Sequence, residues 1–193
     1  MLWDKFVINK AAIIRYAEMR DLARLIAKEK LQDEIDAGLF DTRYRTYQGI
    51  EINVTPIDEA ALSAWEQDWS DHDERLYAWD WRVERREWRT TLRCTDAAIW
   101  ADGMLCGLMI GCATKGRAYL RVDVLEGSPD PNHPLKNRIA YCVTQIGLAF
   151  GTIFGCRELA LMRPIDDAIP LYEELGFKLA MTPNNVRYCS LRI

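Results

Sequence analysis

Leu159-Ala160-Leu161-Met162-Arg163-Pro164-Ile165-Asp166-Asp167-Ala168-Ile169-Pro170-Leu171-Tyr172-Glu173-Glu174-Leu175-Gly176-Phe177 is the stretch that decides how this chain is read. A short apolar run leads through a polar turn into a helix of about ten residues. Asp166 or Asp167 can cap that helix, Pro170 is tolerated in its first turn, and Gly176 supplies the left-handed residue that ends it. Tyr172 sits inside the helix, where a tyrosine either packs its ring with the hydroxyl at the surface or presents that hydroxyl to a ligand.

Upstream, Leu135 to about Phe150 reads as a helix, preceded by a loop rich in proline and polar residues from Gly127 to Pro134. Before the loop come three apolar runs, Ala97 to Ala101, Met104 to Thr114 and Ala118 to Leu125. Asp102-Gly103 and Lys115-Gly116 divide them, and the Asp-Gly pair is a strong two-residue hairpin signal, so the three read as an antiparallel meander. Earlier still, Ile50, Ile52 and Val54 alternate as a first strand, Asp58 starts a helix through about Trp69, and a second runs from about Arg82 to Arg93. Downstream, strands are expected around Phe177 to Met181 and Arg187 to Leu191.

Asn9 can cap a long first helix reaching about Leu39, with Ala12, Tyr16, Met19, Leu22, Ala23 and Ile26 on one face. Such a helix packs on the domain or pairs with a second subunit as a homodimer, and the stripe fits either. The division expected is a helical extension over 1–48 and one domain over 49–193.

The ending Leu171-Tyr172-Glu173-Glu174-Leu175-Gly176-Phe177 resembles the C-terminal signature of the GCN5-related N-acetyltransferases, the GNAT superfamily. The order of elements over about residues 50–193 is similar to theirs, roughly three quarters of the chain. The resemblance implies an α/β (α+β) fold, a mixed central sheet of about six to seven strands flanked by helices. It also implies an acyl-CoA-dependent N-acetyltransferase that uses acetyl-CoA and passes the acetyl group to a primary amine, in a small molecule or a protein, by direct attack in a ternary complex. Tyr172 would then protonate the departing thiolate. The alternative is a non-catalytic GNAT-like module for binding or interaction.

By the same resemblance Val122, Asp123, Val124 and Leu125 line the pantetheine arm, and the helix opening at Lys136, Asn137, Arg138, Ile139 and Ala140 faces the pyrophosphate. A helix N-terminus attracts anions in any case. The family's glycine-bearing phosphate loop is degenerate here, with only Ala140 agreeing. Arg138, standing where a glycine is usual, either crowds the phosphates or meets them with its guanidinium. Lys136 and Arg138 read equally as the basic first turn of a surface helix. Ile165 stands where many relatives carry an asparagine, whose hydrogen bonds Asp166 or Asp167 would have to make.

Transfer to an amine needs the ammonium to lose a proton, and a carboxylate can take it. Glu126, just past the fourth strand, is the first candidate and Asp123 the second; either also reads as a solvent-facing strand residue. From Asp58 to Glu74 stand seven acids and no lysine or arginine, together with Trp65 and Trp69. Asp68, Asp71 and Asp73 could attract a cationic acceptor whose carbon skeleton Trp65 and Trp69 would cover. The same pattern fits a solvated helix face over core tryptophans.

With 193 residues, 49% of them hydrophobic and 28% charged, the chain suits one domain with an appendage. A net charge of -4 argues against an extended nucleic-acid surface. No run approaches the ~18 apolar residues of a membrane span, and Met-Leu-Trp-Asp-Lys-Phe lacks the layout of a secretory signal, so cytoplasmic residence is expected. The six cysteines form no Cys-x-x-Cys pair and read as buried reduced thiols, and two histidines leave little for a zinc site, so no metal is expected.

Overall fold

The computed structural model describes residues 10–43, 45–77, 79–88 and 91–193. Its elements are α1 (Lys10–Asp36), β1 (Ile52–Thr55), α2 (Glu59–Asp68), α3 (Trp81–Trp88), β2 (Cys94–Ala101), β3 (Met104–Ala113), β4 (Tyr119–Gly127), α4 (Ile139–Phe154), β5 (Glu158–Met162), α5 (Ile169–Glu174), β6 (Lys178–Met181) and β7 (Arg187–Arg192). One sheet of seven strands holds them together, in the order β1-β2-β3-β4-β5-β7-β6. β4 and β5 pair parallel, and every other neighbouring pair is antiparallel.

The meander arises from local chemistry. Ala101 pairs with Met104 across Asp102 and Gly103, both at positive φ (50° and 79°), the turn that matches strand twist. Asp58 caps α2 by accepting from the Ala61 N–H at 3.1 Å. α3 begins one residue earlier than Arg82 and extends to Trp88; the Arg89 and Thr90 part of the expected helix lies outside the described residues. α4 begins at Ile139 rather than Leu135, because Lys136 and Arg138 spend their N–H groups on turns back to His133 and Leu135.

Each face of the sheet has its own core. α1 and α4 cover one, where Ala27, Leu31, Val143 and Phe150 meet Ile52, Ile99 and Leu159. α2 and α3 cover the other, where Trp65, Trp69 and Trp81 meet Leu108, Ile110 and Val124. The expected stripe on α1 is mis-phased: Leu22 and Ile26 are 49% and 43% exposed. The line that packs on the core runs through half-buried Tyr16 and Met19 and buried Ala23, Ala27, Leu31 and Ile35. α1 is apolar on more than one side, and the side with small alanines allows the closer approach to the sheet. Arg24 is buried there too, with Nη2 on Asp96 Oδ1 at 2.6 Å and Nη1 on Asp21 Oδ1 at 2.9 Å. Asn9 lies outside the described residues.

Candidate active site

β4 and β5 stay paired only from Tyr119 with Glu158 to Val122 with Leu161. Beyond that point the chain leaves β5 through Arg163, at a φ of 50°, and Pro164, which has no N–H to continue a ladder. β4 runs on to Gly127, so its edge toward β5 has no strand partner among the described residues. On its other side the register shifts: Ile110 pairs with Val124 but Gly111 with Val122, leaving Asp123 as the extra residue of a bulge. Gly111 is required there, since a Cβ would meet the Arg121 carbonyl oxygen at 2.4 Å. The bulge rephases the strand, so Val122 faces the α4 core and Val124 the tryptophan core.

A cavity of about 590 Å³ opens in this wedge. Its walls are β4, the end of β5, α5, the start of α4 and the segment between α2 and α3. Of the residues read from sequence as lining the cofactor, Val122, Asp123, Leu125, Lys136, Ile139 and Ala140 form its wall. Val124 does not, because the bulge turns it into the opposite core, and Asn137, at a φ of 66°, makes a turn outside it.

Arg138 also departs from the expectation. Its Nε donates to the Phe40 carbonyl at 2.9 Å, and its guanidinium lies over the Tyr47 ring at 5.4 Å. It thus neither crowds the mouth of the cavity nor lines it. Two further bonds tie the same segments: Tyr47 Oη donates to the Lys136 carbonyl at 2.7 Å, and Arg45 Nη2 to that of His133 at 3.2 Å. The 40s segment therefore holds the turn that opens α4, a role the sequence did not disclose. No side chain among the described residues caps α4, and its first turn keeps N–H groups and a favourable dipole for an anion.

Tyr172 is buried in the wall, with its ring 6.0 Å from that of Phe177. Burial pushes its hydroxyl up to about 12, which keeps the proton on. The expected aspartate cap of its helix is not made: Ile165 holds the N-terminal position of the preceding 3-10 turn, and Asp166 pairs with Arg187 at 2.5 Å.

Glu126, the first candidate base, is 6% exposed and already engaged. Arg75 donates to it from Nε at 2.5 Å and Nη2 at 3.0 Å, and Trp81 Nε1 donates at 2.5 Å. Both of its oxygens are thus committed to donors from the segment between α2 and α3 and from the start of α3. Asp123 differs: Arg121 holds its Oδ1, but Oδ2 is buried with no hydrogen-bond partner among the described residues. Burial raises its pKa above the ordinary aspartate value, against the pull of Arg121 and Arg163. Those are the properties of a proton acceptor.

The residues expected to meet an acceptor lie outside the cavity. Trp65 and Trp69 are core residues, 6% and 1% exposed, while Asp68, Asp71 and Asp73 are exposed outside the cavity. Glu74, Arg75, Leu76, Tyr77 and Trp79 line it instead, with the Tyr77 and Trp79 rings stacked at 5.7 Å. The signal in the sequence was Arg75, the cation that ends the acidic run.

Neither a family model nor a curated protein matches this chain. Solved structures do. A variant of spermidine N-acetyltransferase from Vibrio cholerae superposes with a TM-score of 0.54 at 12% identity, covering 73% of this chain and 93% of that one. An N-acetyltransferase from Staphylococcus aureus Mu50 gives 0.52 at 12%, covering 73% and 98%. The ribosomal-protein-S18-alanine N-acetyltransferase from Escherichia coli gives 0.50 at 16%, covering 74% and 94%. The chain has the fold of the GNAT N-acetyltransferases. Among the described residues, no helix is long and apolar enough to cross a membrane.

Proposed function

We propose that this chain is an N-acetyltransferase that carries an acetyl group from acetyl-CoA to a primary amine by direct attack in a ternary complex. The observation that carries the reading is the wedge beside the unpaired edge of β4, with Tyr172 in one wall and Asp123 in the other. Its volume falls in the range of about 300–1,000 Å³ typical of ligand sites. An amide-bearing arm can take the backbone bonds that β5 no longer supplies, and Lys136 with the first turn of α4 can hold phosphate. Acetyl-CoA would bring an activated thioester.

The chain's own groups then divide the proton work. Asp123 accepts a proton from the amine, directly or through water, and Tyr172 keeps one at its hydroxyl for the leaving sulfur. Glu126, locked to Arg75 and Trp81, holds the acceptor wall in place. Glu74 offers a charge to a cationic acceptor, and the Tyr77 and Trp79 rings offer it an apolar face.

The test is calorimetric titration with CoA and acetyl-CoA, followed by a screen of amines for turnover. Binding with turnover of a primary amine supports the proposal. Binding without turnover of any amine would leave a GNAT-like binding module, and no binding at all would remove CoA from the wedge. The exposed apolar residues of α1, among them Ile14, Leu22, Leu25 and Ile26, support pairing with a second copy, which the mass in solution would check.

A further inference from the structure

Cys94 and Cys112 face each other across β2 and β3. The N–H of Ala113 bonds to the carbonyl of Arg93 at 3.0 Å, which makes Arg93 and Ala113 a hydrogen-bonded pair. The next pair, Cys94 with Cys112, is therefore of the non-hydrogen-bonded kind, in which Cα atoms lie about 4.5 Å apart and side chains come closest. A disulfide needs Cα atoms about 4.4–6.8 Å apart with both Cβ atoms on one face, and this position meets both conditions. The pair lies on the face covered by α2 and α3, past the end of the tryptophan core.

Access separates Cys112 from the other five cysteines, all of them buried. Cys106, Cys142, Cys156 and Cys189 are packed in the α1 and α4 core. Cys112 is half-buried, and Cys94 forms part of the wall of a second cavity of about 500 Å³ between α1, α3 and β2. Both are free thiols in this structure.

We propose that Cys94 and Cys112 are a dithiol modification site, closed to a disulfide by a small-molecule disulfide of the glutathione type. The Cys112 thiol gives up its proton and attacks one sulfur of the reagent, forming a mixed disulfide and releasing one thiolate, which takes that proton. Cys94 then gives up its proton, attacks the Cys112 sulfur and displaces the second thiolate, which carries the proton away. Two protein thiols are oxidised by two electrons, and the reagent is reduced to two thiols. The order of attack follows from exposure and from charge: the bond from Cys94 and the guanidiniums of Arg93 and Arg121 lower the Cys112 thiol, whereas its bond to Cys112 and burial raise Cys94.

The full chain is incubated with reduced or with oxidised glutathione, free thiols are alkylated under denaturing conditions, and the digest is read by mass spectrometry. Oxidised glutathione is expected to link the Cys94 and Cys112 peptides, reducing the alkylated cysteines from all six of the chain by those two, with full reversal by dithiothreitol. Cys94→Ser is expected to trap glutathione on Cys112. Six alkylated cysteines after the same exposure, or a linkage that leaves Cys94 or Cys112 free, would overturn the proposal. The wild-type digest decides this even where a serine variant fails to fold.

Discussion

Arg75 and Glu126, 51 positions apart, form a buried forked ion pair that fastens the segment between α2 and α3 to the end of β4. Their side chains are 10% and 5% exposed. Removing one partner of such a pair strands the other charge and typically costs ~3–5 kcal/mol.

Glu126→Gln is therefore expected to lower unfolding stability by about 3 kcal/mol, and Arg75→Ala by a similar amount. The double variant should lose much less than the two losses added together. Urea unfolding of the four proteins checks this. A stable Glu126→Gln protein that has lost turnover would instead make Glu126 the base.

Asp123→Asn should lower turnover without lowering stability at neutral pH. Folding raises the Asp123 pKa above 3.8, so the folded state binds the proton more tightly than the unfolded one. Stability from this group is fully present below the unfolded pKa and is lost as pH rises from there through the folded value, so the charged carboxylate is a cost at pH 7. As a base it must be ionised, so kcat/KM should fall on acidification at a pH above the ordinary aspartate range. An acid limb that survives in Asp123→Asn would assign the base elsewhere.

Tyr172→Phe keeps the ring against Phe177 and removes only the hydroxyl. If proton donation limits the rate, turnover should fall ~10²–10⁴-fold, with stability nearly unchanged. Because the hydroxyl titrates at about 12, the wild-type rate should show no loss from its ionisation below pH 10. Unchanged turnover would leave Tyr172 a packing residue.

Lys136→Ala and Arg138→Ala should separate binding from support. Lys136 lines the cavity, so its loss should weaken acetyl-CoA binding several-fold and flatten the salt dependence of that binding. Arg138 holds the Phe40 carbonyl, so its loss should appear first as lost stability, on the order of 1.5–3 kcal/mol for a charged hydrogen bond. Equal effects of the two on binding would return Arg138 to the phosphate site.

Tyr47→Phe deletes one bond to the Lys136 carbonyl and touches nothing in the cavity. A hydrogen bond of this kind contributes about 0.5–1.5 kcal/mol. The KM for acetyl-CoA should rise by up to about tenfold while kcat holds. A kcat loss with unchanged KM would mean that the 40s segment does not position the opening of α4.

The elements themselves were legible because their signals are local. Asp102-Gly103 makes its hairpin, Asp58 caps α2, Gly176 ends α5 at a φ of 91°, and the stretch from Leu159 to Phe177 forms a strand and a helix, the helix only six residues long after a 3-10 turn and without the aspartate cap. Each of these depends on residues within a few positions of one another, and the family resemblance that their order carries implies a mixed sheet. Charge could not be read the same way. Asp68, Asp71 and Asp73 look like an acceptor wall in sequence and are solvated, whereas Glu74 and Asp123, less conspicuous, face the cavity. Arg138 reads as a phosphate ligand and serves as a strut, because its partner at Phe40 is 98 positions away. Whether a carboxylate is a base or an anchor depends on which donors reach it. Those donors arrive by long-range packing: one residue of bulge at Asp123 decides which side chains β4 presents to the wedge, and Arg75 and Trp81 together occupy Glu126.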